Sequence, residues 1–207
     1  MKYITFIVMT LLLVGSAFAA VPDNNGPWAD SVVSYTPGTG NIATIRSDAT
    51  QALGIAENID TINFVSLGFG GELILSFENG IYDGQGDDFS IVETSFGNPT
   101  CSAYPEHVDV YVSADGSTWN YVGTGCQDQA YDIAQSELSC VQYVKLVDTS
   151  LENGFANSNA DGFDVDGIVA IHSLENGCGD QEVPEFGTLA ALGVLGLAGL
   201  FIAKKRT

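Results

Sequence analysis

Between residues 30 and 173 apolar positions recur in short runs, many of them at every second residue. Residues 107–114 are the clearest case: Val108, Val110 and Val112 share one face, and His107, Asp109, Tyr111 and Ser113 the other. A period of two gives a strand with one face buried and one face wet, as in antiparallel sheets. Further runs rich in Val, Ile, Tyr and Phe, bounded by Gly, Asn and Asp, occupy 30–36, 61–69, 71–77, 88–94, 119–123, 142–148 and 162–173. Asp115-Gly116, just before Trp119, is a hairpin signal, and Asn79-Gly80 and Asp83-Gly84 mark further turns. Only 47–58 carries a weak helical stripe. About eight strands without long helices between them predict an all-β fold, an antiparallel two-sheet β-sandwich of jelly-roll type, over residues 20–173.

The two ends break this pattern. Residues 1–19 join Lys2 to an apolar stretch and a small-residue exit, Ala17-Phe18-Ala19. That is a secretory signal peptide with cleavage after Ala19. At the other end, residues 186–203 are an 18-residue run without a charge, followed by Lys204, Lys205 and Arg206. At about 1.5 Å per residue such a helix spans roughly 27 Å, enough for the hydrocarbon core of a bilayer. The basic tail stays on the cytoplasmic side, so the body faces out, on the extracellular face of the cell membrane. Residues 174–183 make a short acidic stalk between the two.

Charge sharpens once the ends are set aside. The chain carries 6 basic and 26 acidic residues, and Lys2, Lys204, Lys205 and Arg206 belong to the terminal segments. The exported body keeps only Arg46 and Lys145 against every acid. Such a surface repels nucleic acid and anionic lipid, and it suits a salty, cation-rich exterior. Four cysteines, Cys101, Cys126, Cys140 and Cys178, in an exported chain read as two disulfides. Three pairings satisfy four cysteines; sequence order favours Cys101–Cys126 with Cys140–Cys178. A zinc site is disfavoured, because there is no C-x-x-C and neither His107 nor His172 lies close to a cysteine along the chain.

Candidate chemistry concentrates in two acidic loops. The first holds Asp83, Asp87, Asp88 and Glu93; the second is 157–167. In the second, Asn157, Asn159, Asp161 and Gly162 fall at positions 1, 3, 5 and 6 of a calcium loop, and Asp164 and Asp166 follow. Position 12, a bidentate Glu in an EF-hand, is Ile168, so the loop is not an EF-hand. Ca2+ wants six to eight oxygens, and the two loops together offer them. Turn formation and solvation account for the same Asp and Asn residues without a metal. No G-x-S-x-G, H-E-x-x-H or P-loop occurs, so an enzyme is not expected, and an envelope hydrolase using paired carboxylates is the weakest reading. Tyr82, Tyr104, Tyr111, Trp119, Tyr121 and Tyr131 supply rings for core packing or for stacking on sugars.

Two resemblances add to this. The end, with Pro184, Glu185 and Phe186 before the apolar run and the basic tail, resembles the PEF-CTERM sorting signal of archaeal surface proteins. The resemblance implies residues 184–207 as a sorting unit, read by an archaeosortase-like processing enzyme that removes the helix and transfers the body to a surface acceptor. The body, through 28–38, 65–77, 83–93, 110–119 and 143–150 with GFDVDGIVA (162–170) behind it, resembles the β-sandwich of PEP-CTERM-type surface proteins. That module is similar in turn to galactose-binding-like and discoidin-like folds, several of which hold a structural Ca2+. The expectation is an exported envelope protein with a structural or adhesive role. A carbohydrate-binding module is the alternative, and surface glycans or other envelope proteins are the partners.

Overall fold

The computed structural model describes residues 26–56, 62–95, 99–157, 159–174 and 177–179. Nine strands follow in order: β1 Ser31–Thr36, β2 Val65–Ser66, β3 Glu72–Tyr82, β4 Phe89–Glu93, β5 Val108–Ser113, β6 Asn120–Gly125, β7 Gln129–Tyr131, β8 Cys140–Asp148 and β9 Asp164–Ala170. They form a five-stranded sheet, β1-β3-β8-β5-β6, and a four-stranded sheet, β2-β9-β4-β7, with every pairing antiparallel. The two-sheet sandwich predicted from the period-two pattern is the fold observed.

One core fills the space between the sheets. Leu73, Leu75 and Phe77 of β3, Val108, Val110 and Val112 of β5 and Val144 and Leu146 of β8 come from the larger sheet. Phe89 and Ile91 of β4 and Val165 and Ile168 of β9 meet them from the smaller one. These side chains are at most 3% exposed, and each contributes about 1.5–3 kcal/mol by leaving water.

The differences from the predicted strands have local causes. The run 61–69 shrinks to β2, since Leu67 and Phe69 bond instead to the loops at 38–39 and 163. Asn79-Gly80 is not a turn: β3 passes through it with a register shift between Ser76 and Ile81, and Gly80 takes φ +65°. The weak stripe at 47–58 becomes one 3-10 turn, Ala49–Ala52, whose first amides are capped by the Asp48 carboxylate. The short β7 has no pattern of its own length to announce it. At the β5–β6 hairpin the Asp115 carboxylate accepts from the amides of Ser117 and Thr118, as its Asp-Gly signal requires.

Both disulfides form in sequence order. Cys101–Cys126 has its Cα atoms 5.7 Å apart, and Cys140–Cys178 has them 5.6 Å apart. His107 stands beside the first bridge, whose sulfurs are committed to each other rather than to a metal. Among the described residues no helix is long and apolar enough to cross a membrane. The signal peptide 1–19, the span 186–203 and the motif Pro184, Glu185 and Phe186 lie outside the described residues.

Candidate ligand-binding cavity

An open cavity of about 330 Å3 lies at one end of the sandwich, lined by Arg46, Ser95, Pro99, Tyr104, Glu106, Asn159, Asp161 and Asp164. Strand direction brings these residues together. β4 ends at Glu93 where β9 begins at Asp164, and Ser66 of β2 pairs with Asp164. The chain before β5 brings in Tyr104 and Glu106, and the Cys101–Cys126 bridge ties that segment to the end of β6.

Asp148, at the end of β8, organises the loops beneath the cavity. It is buried, and it accepts from the amides of Gly70, Ser150 and Phe163 and from the Ser150 hydroxyl. The Ser150 hydroxyl in turn accepts from the His107 amide. Gly162 completes the fit: it takes φ +77°, and a Cβ there would sit 2.6 Å from the backbone of Gly68. Only glycine lets this turn lie flat on the neighbouring loop between Asp161 and Asp164.

One wall of the cavity is acidic and buried. Glu106 is 3% exposed and Asp164 is 5% exposed. Among the described residues Glu106 Oε1 and Asp164 Oδ1 have no hydrogen-bond partner. Burial pushes the Glu106 carboxyl up to about 9, with the negative charges of Asp164, Asp161, Glu93 and Asp148 adding to it. Burial also holds Asp164 well above the usual carboxylate range, reinforced by Asp161 and opposed by the Ser66 hydroxyl and Arg46. Glu93, next to this wall, rises to about 7, chiefly through burial; the Ser95 hydroxyl donates to it and resists the shift.

The opposite wall is already paired. Arg46 Nη1 lies 2.9 Å from Asp161 Oδ2, which also accepts from the Ser66 hydroxyl, and the guanidinium sits 4.8 Å over the Phe64 ring. Tyr104 packs edge-on against Phe155, centroids 4.8 Å apart, and Phe155 meets Phe69. Burial pushes the Tyr104 hydroxyl up to about 12, so this lining residue keeps its O–H.

The first acidic loop of the sequence is split between the two ends of β4. Asp88 and Glu93 lie at opposite ends of β4, roughly 16 Å apart at about 3.3 Å per residue, and Asp83 and Asp87 belong to the Asp88 end. Asp83, Asp87 and Asp88 therefore stand at the far end from the 157–167 loop, and Glu93 alone of the first loop lies beside it. At the far end Asp83, Asp88 and Asp132 bring carboxylate oxygens within 4.8 Å of one another. There Asp88 is occupied: it accepts from the amides of Gly84 and Ile133 and bonds to His172 Nδ1 at 2.8 Å. The Asn157 side-chain oxygen accepts from the Asn159 amide, which makes an Asx turn. Asp166 is buried in β9. Of the candidates, Asn159, Asp161 and Asp164 line the cavity, and Glu93 stands behind it.

Sequence reasoning missed Glu106, Arg46, Tyr104 as a cavity residue and Asp148. Each is a single residue outside the acid-rich runs, joined to the cavity only by the strand order. A possible signal was Glu106 itself, a lone acid beside Pro105 at the entrance to the best-formed strand.

No family model matches the chain, and no curated protein matches it. Among solved structures, the C-terminal domain of a chitobiase from Bacteroides fragilis is similar at 16% identity, TM-score 0.46, covering 73% of this chain and 97% of its own. The CBM32 of AlyQ in complex with 4,5-unsaturated mannuronic acid is similar at 9% identity, TM-score 0.41, covering 70% and 98%. The family 32 carbohydrate-binding module from Streptococcus pneumoniae EndoD follows at 10% identity, TM-score 0.43, covering 69% and 94%. At such identities and scores the likeness assigns this chain no ligand.

Proposed function

We propose that the protein is an exported, non-catalytic carbohydrate-binding module that gives its cell surface an adhesive contact with glycans. The observation that carries this reading is the end cavity, which pairs hydrogen-bonding groups of both kinds with an aromatic edge. At about 330 Å3 it stands at the small end of ligand sites, the scale of one or two sugar rings. Carboxylates of Asp161 and Asp164 accept from sugar hydroxyls, Arg46 and the Tyr104 hydroxyl donate, and the Tyr104 ring supports the apolar face of a pyranose. Walls held by Asp148 and a disulfide are set before the ligand arrives, which limits the ordering cost of binding.

On this reading the C-terminal segment delivers the module. The apolar run 186–203 anchors it at the outer face of the membrane, and Pro184, Glu185 and Phe186 mark it for an archaeosortase-like enzyme. A glycan array probed with the full chain in mild detergent tests the binding. Retention on a defined set of glycans, lost in Tyr104→Ala, is expected; a blank array in the presence of millimolar Ca2+ refutes the reading.

A further inference from the structure

Two carboxylate oxygens in the cavity wall, Glu106 Oε1 and Asp164 Oδ1, are buried and have no partner among the described residues. Burying them ionised without a counter-charge is costly, so each of these carboxyls either keeps its proton or takes a cation. The described residues do not supply that cation. Of the cationic side chains in the described residues, Arg46 is bound to Asp161. Lys145 sits between the rings of Tyr111 and Trp119 on the outer face of the larger sheet, 4.0 Å from Glu72. His172 is held by Asp88 at the far end, and His107 bonds to the Pro105 carbonyl through Nδ1.

We infer that this wall holds a hard divalent cation on Glu106 and Asp164, and that the ion is the point on which the oxygens of the ligand close. Oxygen-only donors few in number suit Ca2+, which takes six to eight oxygens and tolerates irregular geometry, better than Mg2+. Asp161 stays with Arg46 and Ser66, so the protein gives the ion two carboxylates and leaves its remaining positions open. Water fills those positions in the free protein. Adjacent hydroxyls of a sugar replace two waters when the ligand binds, with the Arg46–Asp161 pair and Tyr104 on the facing wall. The ion rests on the carboxylates alone; its contact with a sugar rests on the carbohydrate reading above.

The test is a Tb3+ titration of the full chain in detergent, with tyrosine and tryptophan excitation and displacement by Ca2+. Sensitised emission that millimolar Ca2+ displaces is expected, with apparent affinity at least tenfold weaker in Glu106→Gln and in Asp164→Asn. Asp83→Asn, at the far carboxylate group, should leave the titration unchanged. Far-UV circular dichroism confirms that each variant is folded, and the two cavity variants stand in for each other if one is not. No displaceable emission, or emission lost only in Asp83→Asn, overturns the site. A displaceable ion with a blank glycan array keeps the cation and removes the carbohydrate reading. Glycan binding that survives EDTA keeps the carbohydrate and removes the cation.

Discussion

Replacing Glu106 by Gln should stabilise the metal-free protein and remove its response to calcium. In the folded chain the Glu106 carboxyl titrates at about 9; its ordinary value is 4.5. At about pH 7.5 the unfolded chain releases this proton and the folded chain keeps it, over roughly three pH units at about 1.4 kcal/mol each. The ionisation therefore costs up to about 4 kcal/mol of folding stability. Gln never ionises, so that cost disappears. Its amide can donate toward the Asp161 and Asp164 carboxylates, and imperfect pairing returns about 1–2 kcal/mol. The net gain is about 2–3 kcal/mol, or about 5–10 °C in melting midpoint for a domain of this size. The assay is differential scanning calorimetry in EDTA at pH 7.5 and again near pH 3.5, about one unit below the ordinary value, where the gain should vanish because both states of Glu106 hold the proton. In excess Ca2+ the order should reverse, since ligand binding to the native state raises only the wild type. A Glu106→Gln protein that melts below wild type in EDTA at pH 7.5 would refute the reasoning, because it would show the carboxylate to be well paired.

Other predictions follow from the same geometry. In EDTA, wild-type stability should fall as pH rises from about 4.5 through about 7 and on to about 9, because Glu93 and Glu106 have raised pKa values in the folded state and bind more protons there than in the unfolded chain; urea midpoints across that range check it, and a rising trend would contradict it. Asp148→Ala should cost about 3–5 kcal/mol in urea unfolding, because it strands the buried amides of Ser150 and Phe163 and the Ser150 hydroxyl together and frees the Gly70 amide. Asp88→Ala should also destabilise, yet leave Tb3+ and glycan titrations of the surviving folded fraction unchanged, since Asp88 serves the opposite end of the sandwich. Removing the Cys101–Cys126 bridge, which spans 25 residues, should cost about 3 kcal/mol and weaken ligand binding as well, because that loop carries Tyr104 and Glu106.

The sandwich was legible because period-two burial is a local property. Val108, Val110 and Val112 point inward in the structure as their spacing requires, and the Asp115-Gly116 hairpin closes where its turn chemistry places it. Both disulfides match sequence order for a related reason: each links segments that adjoin once the strands are laid out. The cavity was only half legible. Asp161 and Asp164 stand in a run dense with acids, but Glu106 lies about 60 residues earlier, and only the β5–β8–β3 order of the larger sheet and the position of β9 in the smaller one bring it to them. The same strand order separates Asp83 and Asp88 from Asp164, a distance that no reading of loop composition contains. Asn79-Gly80 misled because a turn dipeptide inside a long strand can serve a bulge, which β3 accommodates with the φ of Gly80.

The most direct test of the cavity as the ligand site is a crystal structure grown with a glycan bound on the array and with Ca2+. It should show the sugar between Tyr104 and Arg46, with an ion on Glu106 and Asp164. A sugar lying instead on the outer face of the larger sheet, across Tyr111, Trp119 and Lys145, with the cavity holding only water, would contradict the account.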